Sequence, residues 1–140
     1  MHVTNEVMPT SRERIAEMMQ PGPDGPIYMV NLLKFKERAE YEDGRNTDLT
    51  GREAYQLYAD AVADILPDFG GGFVFAGDVT FLALGQVDDL WDEIAVVSYP
   101  NRGALLQMSS SDTWRAAAVH RTAGLAGQLN IETVATHGST

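Results

Sequence analysis

Ile27-Tyr28-Met29-Val30-Asn31-Leu32-Leu33-Lys34-Phe35 is an almost unbroken run of apolar and β-forming side chains. Neither face of such a strand reads as polar, which suits the interior of a sheet better than its edge. Asn31 interrupts the run at its middle, on the face shared by Met29 and Leu33. Lys34 points to the other face, near the strand end.

Upstream, Pro21-Gly22-Pro23-Asp24-Gly25-Pro26 is a firm break. Before it, Thr10 or Ser11 can cap a short helix running to about Gln20. Ile15, Met18 and Met19 recur there at helical spacing, and Glu13 sits in the first turn. Downstream, residues 36–50 are charged and polar, with Gly44 and Asn46, and read as a loop.

Residues 51–68 form the clearest helix. Ala54, Leu57, Tyr58, Ala61, Val62 and Ile65 make one apolar stripe. Thr50 and Glu53 have the spacing of a capping box. Gly70-Gly71-Gly72 ends the helix and opens a strand from Phe73 to about Gln86, with a bend expected at Gly77-Asp78. Residues 87–90 read as a turn. Asp92–Tyr99 reads as the next strand, closed by Pro100. A helical region follows from Asn101 to about Gln128, with a break at Ser109-Ser110-Ser111-Asp112. Asn130–Thr136 is the last strand.

The order strand, helix, strand, strand, helix, strand is the ferredoxin-like βαββαβ arrangement of an α+β protein, with an extra N-terminal helix. Three segments are expected: an N-terminal helix and linker over 1–25, the ferredoxin-like domain over 26–136, and a flexible tail over 137–140. Helices on one face leave the other face of the sheet open. A second copy of the same sheet is the economical cover, so a homodimer is expected.

The 140-residue length is that of one domain. With no cysteine, thiolate chemistry and disulfides are excluded. A net charge of −10 disfavours nucleic acid and anionic membrane surfaces as partners. No signal-peptide pattern and no membrane-length apolar run is visible, so a cytoplasmic location is expected. Seven of the ten basic residues lie between Arg12 and Arg52, and only Arg102, Arg115 and Arg121 follow. A cation facing inward in the second half would therefore be conspicuous.

Several segments recur together in order: Asn31-Leu32-Leu33-Lys34-Phe35, Gly51-Arg52-Glu53-Ala54-Tyr55 with Tyr58, Gly71-Gly72, Trp91-Asp92, Tyr99-Pro100-Asn101-Arg102, and Arg121. Over about Pro26 to Thr133 this set resembles the bacterial family catalogued as domain of unknown function 1330. The resemblance implies a dimeric α+β barrel in which two ferredoxin-like sheets face each other. It brings no agreed activity. The wider barrel group holds cofactor-free monooxygenases, lactone isomerases, haem-dependent enzymes and plain binding proteins, and fold does not choose among them. The helix before Gln20 departs from the shortest family pattern.

Candidate site residues are polar ones at apolar positions. Arg121 falls on the stripe of Trp114, Ala117, Ala118 and Leu125. A guanidinium there must be paired and hydrogen-bonded. It is either a carboxylate or enolate anchor or half of a structural ion pair with Asp92, Asp78 or Glu93. Asn31 can polarise a substrate carbonyl or hold a neighbouring loop. Lys34 is either at a pocket mouth or a solvated edge charge. Tyr55 and Tyr58 lie on the long helix. Tyr58 is a candidate proton donor, against the commoner reading of a core tyrosine. Asp92 is either a general base beside Trp91 or a turn residue.

The three histidines are scattered and make a poor metal case, so no metal and no cofactor is expected. The triple glycine follows a helix rather than opening one, so it is no phosphate cradle. The serines at 109–111 lack a nucleophile elbow. The expected function is cofactor-independent acid–base, isomerase-like or monooxygenase-like chemistry on a small anionic or carbonyl-bearing apolar molecule. The alternative is a non-catalytic module binding a similar ligand.

Overall fold

A computed structural model of the chain describes residue 5 and residues 10–138. Four strands form one antiparallel sheet in the order β2-β3-β1-β4. They are β1 Ile27–Phe35, β2 Gly72–Asp78, β3 Glu93–Tyr99 and β4 Leu125–Thr133. The helices are α1 Arg12–Met18, α2 Gly51–Ile65, α3 Arg102–Ser109 and α4 Asp112–Gly124, with a 3-10 turn at Leu66–Phe69. This is the ferredoxin-like α+β arrangement with an added N-terminal helix. β1 lies between β3 and β4, as its apolar run predicts, with Asn31 opposite Ala95 on one side and Asn130 on the other.

Strand alternation divides the sheet into two faces. Ile27, Met29 and Leu33 of β1 are buried together with Ala95, Val97 and Tyr99 of β3. They pack on Tyr55, Val62 and Ile65 of α2, Leu105 and Met108 of α3, and Leu125. All the helix packing falls on this face. The opposite face carries Val30, Leu32, Val96, Phe75 opposite Val96, and Ile131 opposite Val30. None of these is buried; Phe75 is 58% and Ile131 46% exposed.

Local signals set the helix ends. The Thr50 hydroxyl accepts from the Glu53 amide at 3.1 Å, and the Glu53 carboxylate accepts from the Thr50 amide at 2.9 Å. That satisfies two of the donors a helix start leaves open. Ser111 caps α4, placing the break between α3 and α4 where the serine run predicts it. Gly51 and Gly124 sit where α2 and α4 cross. A Cβ on Gly124 would run into the Gly51 carbonyl and the Tyr55 amide.

Several expectations are corrected. β2 stops at Asp78, not Gln86, because β3 begins opposite it at Glu93 and offers no further partner. The irregularity falls between Phe73 and Phe75 rather than at Gly77. Residues 79–92 are irregular and expose Phe81 and Leu84. The last helix ends at Gly124 and β4 follows at once, five residues before the expected Asn130, ending at Thr133. On α2, Leu57 faces solvent and Tyr55 takes the buried place. The loop over 36–50 is pinned: Ala39 and Tyr41 are buried against Ala54 and Ala123, and the Tyr41 hydroxyl meets His120 Nδ1 at 2.6 Å. His120 is thus half-buried. His2 and the last two residues of the tail lie outside the described residues.

The N-terminal helix is tied to the domain. Met18 packs on the main core cluster. Arg102 donates to the Glu17 carbonyl at 3.3 Å and grips Glu132 of β4 through Nε and Nη2.

Candidate functional site

A cavity of about 550 Å³ lies between the sheet and the helices. Its floor is Met29, Asn31 and Val97, with Gln128 and Asn130 of β4. Tyr55, Tyr58 and Val62 of α2 form one wall. Leu105 and Met108 of α3 with Trp114 and Arg121 of α4 form the other. Thr10, Ile15 and Met18 close the side toward α1. The volume suits a small organic molecule.

Four of the expected site residues, Arg121, Asn31, Tyr55 and Tyr58, line this one cavity. Arg121 sits in the last turn of α4, where a cation is favoured by the helix dipole. Its Nε and Nη2 both donate to Oε1 of Gln128, at 3.1 and 2.7 Å. Gln128 Nε2 donates to Asn31 Oδ1 at 3.0 Å. Asn31 Nδ2 donates to the carbonyls of Ala95 at 3.3 Å and Met29 at 3.4 Å. One hydrogen-bonded chain therefore runs from a guanidinium through two amides into the sheet. Asn31 is 8% exposed, the one buried polar residue in the described core. The expected ion pair of Arg121 with Asp92, Asp78 or Glu93 is not formed. Asp78 and Glu93 instead share Arg52.

The tyrosines form a second polar element. The Tyr58 hydroxyl accepts from Trp114 Nε1 at 3.2 Å, which leaves its own proton to donate. Burial raises the Tyr58 phenol above its ordinary value, while the Trp114 hydrogen bond and the Arg121 charge pull it back. Burial also raises Tyr55 and Tyr99, with Tyr58 nearby adding to both shifts. All three phenols keep their protons at neutral pH and act as donors rather than bases. The rings of Phe35, Tyr55, Tyr58 and Trp114 follow one another at centroid spacings of 5.5, 5.4 and 6.4 Å.

Lys34 and Asp92 are placed elsewhere. Lys34 Nζ reaches the Leu90 carbonyl at 2.8 Å, Asp89 at 3.1 Å and Asp92 at 3.5 Å. Asp92 Oδ2 accepts from the Phe35 amide at 2.8 Å. The even-numbered residues of β1 point away from the helices, so this pair fastens the 79–92 segment to the strand end. Desolvation lowers the Lys34 pKa, but the hydrogen bonds and charges of Asp89 and Asp92 outweigh it and raise the value overall.

Gln128 is the residue that the sequence reading missed, because it fell at the end of an expected helix. A signal was present: Gln128, Asn130 and Glu132 alternate with Leu129 and Ile131, which is a strand period. Among the described residues, no three His, Asp or Glu side chains are grouped to hold a metal ion. No described helix is long and apolar enough to cross a membrane.

Fold and site together define a ferredoxin-like α+β domain with a mostly apolar cavity between sheet and helices. The chain belongs to the family described as domain of unknown function DUF1330, whose model matches residues 44–134. It is similar to the crystal structure of a protein of unknown function from Rhodopseudomonas palustris. That match has 28% identity and a TM-score of 0.83, covering 96% of this chain and 100% of the other. Two more distant structures share the fold. One, from Caulobacter crescentus, is provisionally named an antibiotic biosynthesis monooxygenase (16% identity, TM-score 0.53, covering 81% of this chain and 92% of that one). The other is a dimeric ferredoxin-like protein of unknown function from Jannaschia sp. CCS1 (13% identity, TM-score 0.52, covering 79% and 100%). No curated protein matches the chain.

Proposed function

We propose that this protein binds a small anionic or carbonyl-bearing apolar molecule in the cavity. The observation that carries this reading is the chain from Arg121 through Gln128 to Asn31, set among Met29, Val62, Val97, Leu105 and Met108. Apolar walls supply most of the binding energy of such sites, and a few convergent polar groups fix orientation. Arg121 anchors the anion and Asn31 orients a carbonyl. Residues 10–25 act as a roof, through α1, for the domain over 26–136.

The same reading includes a homodimer. The uncovered sheet face is apolar, and the Jannaschia sp. structure with this fold is described as dimeric. A second copy of that face is the cover we assign to it.

The test is a thermal-shift panel of aliphatic and aromatic carboxylates and ketones on the full chain. Carboxylates are expected to raise the melting temperature, and Arg121→Ala to abolish those shifts. An Arg121→Ala protein that keeps every shift would remove the anion anchor.

One observation favours a catalytic variant of this reading. Tyr58 is a buried, protonated phenol, oriented by Trp114 and close enough to Arg121 to feel its charge. It could donate a proton to a carbonyl or enolate held by Arg121 in cofactor-independent isomerase-like or monooxygenase-like chemistry. Asp92, engaged with Lys34 and the Phe35 amide, has no part in it. In this variant Tyr58→Phe removes turnover and leaves ligand binding intact; loss of binding in the same step would refute it.

A further inference from the structure

Two arginines are held in different ways by the same face of β4, at Gln128 and Glu132, two positions four residues apart on the strand. Arg102 presents Nε and Nη2 to the two carboxylate oxygens of Glu132, at 2.6 and 2.9 Å. Arg121 presents the same two nitrogens to the single amide oxygen of Gln128. At position 132 the strand supplies a carboxylate and completes the fork. At position 128 it supplies the uncharged counterpart of glutamate. A neutral acceptor is a weaker partner for a guanidinium than a carboxylate, so the Arg121 fork is held in place with its charge unanswered by Gln128.

We propose that Gln128 is a neutral placeholder on Arg121, displaced by the carboxylate of the ligand, and that the ligand is therefore a monocarboxylate with an apolar body. This rests on the binding reading above and narrows it to one chemical class. A planar carboxylate matches the guanidinium edge with two parallel hydrogen bonds. The displaced Gln128 remains tied to Asn31 through Nε2. Among the described lining residues Arg121 is the single charged side chain, so one anionic group is answered and a second is not. The rest of the ligand lies along Met29, Val62 and Leu105 toward Met18 on α1.

The experiment is isothermal titration of the full chain with decanoate and cinnamate, and with decanamide and cinnamamide. The proteins are wild type, Gln128→Glu and Gln128→Met. Wild type is expected to prefer each acid over its amide by about tenfold or more. Gln128→Glu builds at 128 what Glu132 already is for Arg102, and is expected to weaken acid binding by about thirtyfold while amide binding persists. Gln128→Met removes the competitor, and its affinity for the acids is expected to equal or exceed that of wild type.

Gln128→Glu protein that binds the acids as wild type does would overturn the placeholder. So would wild type that binds amides as tightly as acids, although the cavity reading would then stand. Acids and amides that both fail to bind would take down the cavity reading and this inference together. Persisting amide binding shows that Gln128→Glu is folded, and Gln128→Met gives an independent answer if it is not.

Discussion

The two faces of β4 differ in the opposite sense from a half-solvated strand, whereas β1 and β3 keep an apolar face toward the helices. On β4, Gln128, Asn130 and Glu132 point toward the helices, while Leu129, Ile131 and Thr133 point toward the bare side. An antiparallel edge strand with one wet face turns its apolar residues to the core. Here Gln128 and Asn130 on the helix side of β4 line the cavity, and the apolar residues on its bare side belong to the face that the proposed dimer would cover. On β1 the inward face is apolar at Ile27, Met29 and Leu33, and Asn31 is its one polar member.

The largest expected effect comes from breaking the packing behind the covered face. Gly124 lets α4 approach the first turn of α2. Alanine in a helix is favoured over glycine by about 1 kcal/mol. The added Cβ, however, meets backbone, the Gly51 carbonyl and the Tyr55 amide, which cannot yield without moving α2. Gly124→Ala is expected to lose about 3 kcal/mol net, read as a lower urea midpoint. A neutral or higher midpoint would mean the two helices can separate freely, and the cavity wall with them.

The bare face gives the next effect. Ile131→Asp places a carboxylate on the face of the proposed interface, on edge strand β4, without touching the cavity lining. The dimer dissociation constant is expected to rise about a hundredfold, measured by sedimentation over a concentration series. Carboxylate-induced thermal shifts should survive in the monomer if the two faces are independent. Wild-type protein sedimenting as a monomer would mean that this face is covered by something other than its own copy.

The elements legible in the sequence were those whose signals are local. β1 was bounded correctly because Pro26 and the polar loop flank an apolar run. The capping box at Thr50 and the Ser111 cap are side-chain to backbone contacts within three residues, so spacing alone revealed them. The errors lie where partners far along the chain decide. Residues 79–86 have strand-like composition, but a strand needs a neighbour, and β3 has none to give beyond Glu93. Gly124 and Gly127 are single glycines among helix formers, with no proline or turn cluster beside them, so helix α4 reads as continuing. What ends it is the pairing of Gly127 with Lys34 and of Leu125 with Phe35, 93 and 90 residues earlier in the chain. That one misplacement hid Gln128. Arg121 and Asn31 could be singled out as polar residues on apolar stripes, but the residue joining them could not. Asp92 failed as a cavity residue because its partner, the Phe35 amide, becomes available only when β1 ends.

The smallest effect tests whether the covered face is as dry as its phenols imply. Tyr55, Tyr58 and Tyr99 line the cavity, and burial raises each above the ordinary value of 10.0. A folded-state pKa raised above the unfolded one gives stability that is full below about pH 10 and lost as pH climbs toward the folded value, since the unfolded chain releases its proton first. Each phenol should then cost stability as pH climbs above about 10. Tyr58→Phe also loses the hydrogen bond from Trp114, so its stability is lower at every pH. The informative quantity is the slope: its unfolding free energy should fall less steeply than that of wild type between about pH 9.5 and 11. A saturating carboxylate that fills the cavity should leave that difference in place or enlarge it. Parallel curves for wild type and Tyr58→Phe would mean the phenol is hydrated in the folded protein, and the cavity would then be an open cleft rather than a chamber in which one guanidinium can select a charge.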